Sequence, residues 1–115
     1  MKTLRVILYG SNLVMSTIWA SLRDQAKLLV VPVDAALTQV AKRLCALEPD
    51  VVIFALAGIQ PDWTVEVLKS QPHVTLIGVD ITGDKSLVLR GEFTRLWTTE
   101  DLVHLIENQG GRGEE

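Results

Sequence analysis

The chain has 115 residues, a formal net charge of −3 and a hydrophobic fraction of 48%. This length suits one domain with one core, and the acidic balance argues against nucleic-acid binding, which calls for a basic patch. Aromatic residues make up only 5%, so the apolar content is mainly aliphatic, as in a parallel sheet covered by helices. The single cysteine, Cys45, excludes an internal disulfide and a cysteine-rich metal site.

The amino-terminal segment and the apolar runs predict a cytoplasmic protein. Lys2 and Arg5 precede an apolar run, as in a signal peptide, but residues 10–12 interrupt that run too early for a secretory core. No apolar stretch approaches the length that spans a bilayer. We therefore expect neither a membrane nor a nucleic acid as partner.

Strand and helix signals alternate along most of the chain, which is the pattern of an α/β domain. Aliphatic runs predict strands over residues 4–9, 28–33 and 50–56. A helix is predicted after each strand, with Asn12 or Ser11 as cap of the first helix and Asp34 as cap of the second. The apolar positions at helical spacing are Leu13, Val14, Ile18 and Leu22, then Leu37, Val40, Ala41, Leu44 and Leu47, then Val65 and Leu68.

The alternation breaks after a fourth strand, which is predicted over residues 74–79. A fifth strand-like run follows at residues 86–89, after a short link that contains Gly83 and Asp84. Parallel neighbours need a crossover of about a dozen or more residues, whereas a short link with glycine suits a hairpin. We therefore expect strand 5 to run antiparallel to strand 4, with no helix between them.

The last helix is predicted to begin near Thr98, which forms a capping-box pattern with Asp101. Its predicted buried face consists of Leu102, Val103, Leu105 and Ile106. Residues 109–115 have no apolar residue and are predicted to be a disordered tail. This leaves one domain over residues 1–108.

The order of elements and two motifs resemble the receiver domain of response regulators. Leu47-Glu48-Pro49-Asp50-Val51-Val52-Ile53 is similar to the start of the central strand in that family, and Thr99-Glu100-Asp101-Leu102 is similar to the start of its last helix. The resemblance implies a flavodoxin-like, receiver-like three-layer α/β sandwich. Its strand order would be 2-1-3-4-5, with the usual helix 4 missing.

The functional positions of a receiver are all replaced in this chain. The phosphorylated aspartate at the end of strand 3 corresponds to Ala55, and residues 9–12 lack the two acids that hold magnesium, a cation that needs oxygen ligands. Val79-Asp80 and Leu96-Trp97-Thr98 stand where the family has a Ser or Thr and a Lys-Pro pair. The resemblance therefore implies a regulatory or protein-interaction module without catalysis, cofactor or phosphorylation. A second copy or another signalling protein is the expected partner.

A second hypothesis is a small-molecule sensor for a nucleotide or an anion. Its candidate residues follow strands 1, 3 and 4: Gly10, Ser11, Asn12, Ala57, Gly58 and Asp80. A loop before a helix N-terminus can bind an anion, and α/β sheets bind ligands at this edge. The first loop lacks a phosphate-binding fingerprint, so a tight turn with a helix cap is the simpler interpretation.

Candidate interface residues are the three tryptophans and the apolar residues of the fifth strand: Trp19, Trp63, Trp97, Val88 and Leu89. Tryptophan is enriched at interface hot spots, and an apolar edge strand needs a cover. The alternative for the tryptophans is packing at the periphery of the core. His73 and His104 lack neighbours at metal-ligand spacing, so no metal site is predicted.

Overall fold

The computed structural model describes residues 3–10, 13–33, 39–56, 62–80, 86–93 and 98–110. Within these ranges the chain forms five strands and four helices. In chain order they are β1 (Leu4–Tyr9), α1 (Leu13–Leu22), β2 (Leu28–Val33), α2 (Val40–Ala46), β3 (Val51–Leu56), α3 (Trp63–Ser70), β4 (Thr75–Asp80), β5 (Ser86–Arg90) and α4 (Thr99–Gly110).

The strands form one mostly parallel sheet in the order β2-β1-β3-β4-β5. β1 pairs in parallel with β2 and with β3, and β3 pairs in parallel with β4. β5 pairs antiparallel with β4. The predicted strand order and the antiparallel direction of the last strand are both confirmed. β5 runs antiparallel because the link between β4 and β5 is too short for a parallel crossover.

Helices pack on both faces of this sheet. One face, here called the two-helix face, is covered by α2 and α3, and its buried residues are Ile7, Ala41, Leu44, Val52, Phe54, Val67, Val74 and Leu76. The opposite, one-helix face is covered by α1, and its buried residues are Val6, Leu8, Met15 and Ile53. Neighbours along each strand alternate between the faces, which is why aliphatic runs suit a sheet buried on both sides.

The backbone conformation of Gln39 marks the start of α2, and Pro49 follows its end. Gln39 precedes the helix with a φ of 53°, and its side chain makes no capping hydrogen bond. Beyond the helix, Glu48 has a φ of 52°. Glu48 precedes Pro49, whose ring disfavours right-handed helical geometry at the residue before it. Asp34, predicted as the cap, lies outside the described residues.

The predicted inner face of α3 is wrong at Val65 and right at Leu68. Val65 is 59% exposed, whereas Val67 is 0% and Thr64 is 1% exposed. Leu68 is half-buried and packs against the core of the two-helix face. Val65 and Val67 are two positions apart, and positions two apart do not share a face of a helix.

The start of α4 is confirmed, and its predicted buried face is wrong at three of four positions, since only Leu105 is half-buried. The Thr98 N–H donates to Asp101 Oδ2 and the Asp101 N–H donates to Thr98 Oγ1, both at 3.2 Å, as in a capping box. Leu102, Val103 and Ile106 are 44%, 44% and 59% exposed. An apolar stripe shows which side of a helix is apolar, and among the described residues α4 joins neither core. The helix runs to Gly110, beyond the boundary predicted at residue 108.

Within the described ranges, none of the helices combines the length and the apolarity that crossing a bilayer requires.

Candidate functional site

The carboxyl ends of β1, β3 and β4 meet at one edge of the sheet, where α/β proteins bind ligands. Ala55 lies in β3 opposite Val79 of β4, is half-buried, and packs against the core of the one-helix face. Tyr9 ends β1 beside Phe54. A methyl group at residue 55 supplies neither a nucleophile nor an oxygen ligand for a metal ion.

Three aromatic side chains pack together on the two-helix face of this edge. The ring of Trp63, the first residue of α3, lies 5.2 Å from the ring of Tyr9 and 5.1 Å from that of Phe54, centroid to centroid. The interplanar angles of 67° and 77° are those of edge-to-face contacts, which are favourable for aromatic rings. The half-buried Trp63 thus anchors α3 to the sheet, and its role at an interface stays a prediction.

Gly10 turns the chain from β1 towards α1. Its φ of 131° is one that side-chain-bearing residues rarely adopt. Its N–H donates to the carbonyl oxygen of Val33, at the end of β2, with an N–O distance of 3.0 Å. This N–H, the first in the proposed anion-binding loop, is therefore engaged within the protein. Ser11 and Asn12 lie outside the described residues.

A cavity of about 530 Å³ lies between α1 and the β1–β2 pair at the same edge. Its described lining residues are Leu8, Gly10, Met15, Ser16, Trp19, Ala20 and Pro32. None of these is charged, and the volume falls in the range of small-molecule pockets. The guanidinium of Arg23 lies 4.7 Å from the centroid of the Trp19 ring, a cation–π contact at the neighbouring turn.

Of the predicted ligand-binding residues, the structure describes Gly10 and Asp80. Asp80 ends β4, and β3 separates that strand from β1, so Gly10 and Asp80 stand about 10 Å apart across the sheet. Asp80 is not among the described lining residues of the cavity. Ala57 and Gly58 lie outside the described residues. The sequence interpretation missed Met15 and Pro32, although a proline inside an aliphatic strand was a usable signal for an edge strand.

The remaining candidate interface residues differ in exposure. Trp19 is half-buried and packs against the core of the one-helix face, and Leu89 is half-buried against the two-helix face. Val88 is 47% exposed and lies opposite Ile77. Trp97 lies outside the described residues. Among the described candidates, Val88 thus has the largest exposed fraction.

Side chains that commonly act as nucleophiles or metal ligands are scattered over the described part of the chain. Cys45 is half-buried in α2, and burial raises the pKa of its thiol, which makes the nucleophilic thiolate scarcer. His73 and His104 are exposed and belong to different segments. In the described ranges, no three His, Cys, Asp or Glu side chains are grouped so as to hold a metal ion.

The chain matches no protein-family model, and searches of curated proteins and of solved structures find no similar protein. The resemblance to receivers therefore depends on the residues quoted above and on the strand order.

Proposed function

We propose that this chain is a non-catalytic regulatory or protein-interaction module on a receiver-like, flavodoxin-like scaffold that is not phosphorylated at the usual aspartate. The observation that carries the proposal is the position of Ala55 near the carboxyl end of the central strand β3. In the family that the chain resembles, the phosphorylated carboxylate stands there.

The surroundings of Ala55 support this proposal. Its neighbour across the sheet is Val79, an aliphatic residue where a receiver has a hydroxyl. β1 ends in Tyr9, which packs against Trp63, and Gly10 donates its N–H to Val33. A magnesium ion needs oxygen ligands, carboxylates above all, and none of these three positions carries a carboxylate.

Phosphorylation by acetyl phosphate with magnesium tests the proposal. Intact-mass spectrometry should detect no phosphoryl adduct on this chain, because residue 55 offers no carboxylate to phosphorylate. A phosphorylatable receiver treated in parallel serves as the positive control. An adduct on this chain at a stoichiometry similar to that of the control would contradict the proposal.

A small-molecule sensor is the second candidate function, and the cavity between α1 and the β1–β2 pair favours it. The uncharged side chains of the described lining and the engaged N–H of Gly10 favour an apolar ligand over the nucleotide or anion that the sequence suggested. Thermal shift against nucleotides, inorganic phosphate and an apolar anilinonaphthalene dye tests it, since a ligand of the folded state raises stability.

The Ala20→Trp variant should abolish any stabilisation by ligand, because Ala20 lines the cavity and an indole would fill it. Ala26→Trp places the same side chain on an exposed turn and serves as the control. A flat thermal response of the unmodified protein to every compound would remove this candidate.

The partner that we propose for the interaction module is a second copy of the chain, and another signalling protein is the alternative. The exposed apolar residues of β5 support a partner, since an edge strand of this kind needs a cover. Light scattering at micromolar concentrations should give a mass above that of the monomer. A monomer mass there would contradict the homodimer.

A further inference from the structure

The two edge strands of the sheet differ in how well they are protected against pairing with another chain. β2 contains the exposed Pro32, and a proline removes one N–H from an edge. β5 reads Ser86-Leu87-Val88-Leu89-Arg90, with no proline and with its one charge at the last position. Natural proteins usually blunt an edge with prolines, charges or bulges, so in the described part of the chain β5 is the edge more open to pairing.

The side chains of β5 leave apolar surface on both faces of the sheet. Leu87 is 41% exposed and Val88 is 47% exposed. Because neighbours in a strand alternate, these two residues lie on opposite faces. Phe93, which follows the strand, is 71% exposed. Within the described residues β5 pairs only with β4, so its outer edge carries unpaired backbone groups between these apolar side chains.

We propose that β5 pairs antiparallel with β5 of a second copy of the chain around a two-fold axis, which joins the two sheets into one. This inference rests on the proposed function, because it takes a second copy of the chain as the partner. It adds which surface the two copies share and how the two β5 strands align. An interface with two-fold symmetry uses the same patch on both copies, and a single edge strand can be such a patch.

The alternation of backbone groups determines which registers are possible. Residues directly opposite each other in an antiparallel pair must both point their N–H and C=O groups towards the partner or both away from it. In a symmetric pair this condition places one residue opposite its own copy. The register centred on Val88 pairs the whole of β5, with Ser86 opposite Arg90 and Leu87 opposite Leu89.

The side chains in this register are mutually compatible. Arg90 faces Ser86, so no two like charges lie directly opposite, an arrangement that would be destabilising. Leu87 and Leu89 of both copies form one apolar row on the two-helix face, where Leu89 already packs against the core. Val88 meets its own copy on the one-helix face, beside Ile77.

The size of the contact predicts its strength. Five paired residues cover less surface than the roughly 800 Å² per partner of a standard interface. We therefore expect a weak dimer that is populated at micromolar concentrations and dissociates on dilution below them.

Disulfide trapping tests the register directly. In a Cys45→Ser background, Val88→Cys should form a disulfide-linked dimer under oxidised glutathione, because residues directly opposite have Cβ atoms about 4.5–5.5 Å apart. Ser86→Cys is the matched control. In the proposed register, residue 86 of one copy lies four residues, or roughly 13 Å along the strands, from residue 86 of the other copy. Ser86→Cys should therefore cross-link at least about tenfold more slowly than Val88→Cys.

A second measurement separates this surface from other dimer surfaces. Val88→Lys should shift the light-scattering mass to that of the monomer and leave the circular dichroism spectrum unchanged, since residue 88 lies outside the buried cores. A monomer mass of the wild type at micromolar concentrations, or equal rates of cross-linking at residues 86 and 88, would overturn the inference. A dimer that persists in Val88→Lys would also overturn it and leave the proposed interaction module standing. A phosphoryl adduct would contradict the proposed function alone.

Discussion

Arg5 and Asp50 join the first strand to the start of the third at the amino-terminal edge of the sheet. The Asp50 N–H donates to the Arg5 carbonyl oxygen, and the Arg5 N–H donates to Asp50 Oδ2, each at 2.8 Å. The Arg5 guanidinium also donates to the carbonyl oxygen of Leu47 at 2.6 Å. These contacts lie at the end of the sheet opposite to the cavity. The Pro49-Asp50 pair, which carries the receiver resemblance, therefore has a structural role here.

Replacing Asp50 by alanine should lower the free energy of unfolding by about 1–3 kcal/mol, because a partly buried N–H of Arg5 loses its acceptor. Urea unfolding followed by circular dichroism measures the loss. Asp62→Ala is the control, since Asp62 is exposed and makes no side-chain capping bond, and it should stay within about 0.5 kcal/mol of the wild type. Equal losses in the two variants would contradict the architectural role.

Two valines of α3 provide a matched pair for the packing on the two-helix face. Val67→Ala should cost roughly 1.5–3 kcal/mol, because Val67 is fully buried. Val65→Ala, the same change two positions earlier, should cost less than about 0.5 kcal/mol, because Val65 is 59% exposed. Denaturant midpoints of the two variants measure the difference, and a larger loss at Val65 would show that α3 is rotated.

Gly78→Ala should destabilise the fold by about 1–3 kcal/mol through overpacking. A Cβ atom at residue 78 would lie 2.7 Å from Leu56 Cδ2 and 3.0 Å from Phe54 Cζ. The second substitution Leu56→Ala removes the closest clash, so the double variant should lose less stability than the sum of the single losses. Thermal unfolding of all four proteins completes the cycle, and strict additivity would contradict the contact.

The thiol of Cys45 should give the folded state a pH-dependent contribution to stability. Burial raises the pKa of Cys45, so the folded state favours the neutral thiol. The contribution is fully present below the ordinary thiol range and is lost as the pH rises through the raised pKa. Urea unfolding at increasing alkaline pH should therefore show wild type losing stability relative to Cys45→Ser, which does not titrate there. A constant difference would contradict the prediction.

Features that depend on neighbouring residues were predictable from the sequence. The aliphatic runs indicated the strands, and the short link after β4 indicated the antiparallel β5. The capping box of Thr98 and Asp101 was predictable because its partners are three residues apart. The apolar stripe of α4 was also real, but burial requires a second surface. Leu102 and Ile106 are exposed, and among the described residues α4 contributes to neither core.

By itself, the sequence determined the order of strands and helices and the side chain at residue 55, since an alanine has no carboxylate in any fold. Only the tertiary structure decided how Arg5 meets Asp50, how Trp63 packs against Tyr9, and where the cavity lies. Such contacts join residues far apart in the chain. They depend on how helices and sheet fit together, and the spacing of apolar residues within one element contains no information about that fit.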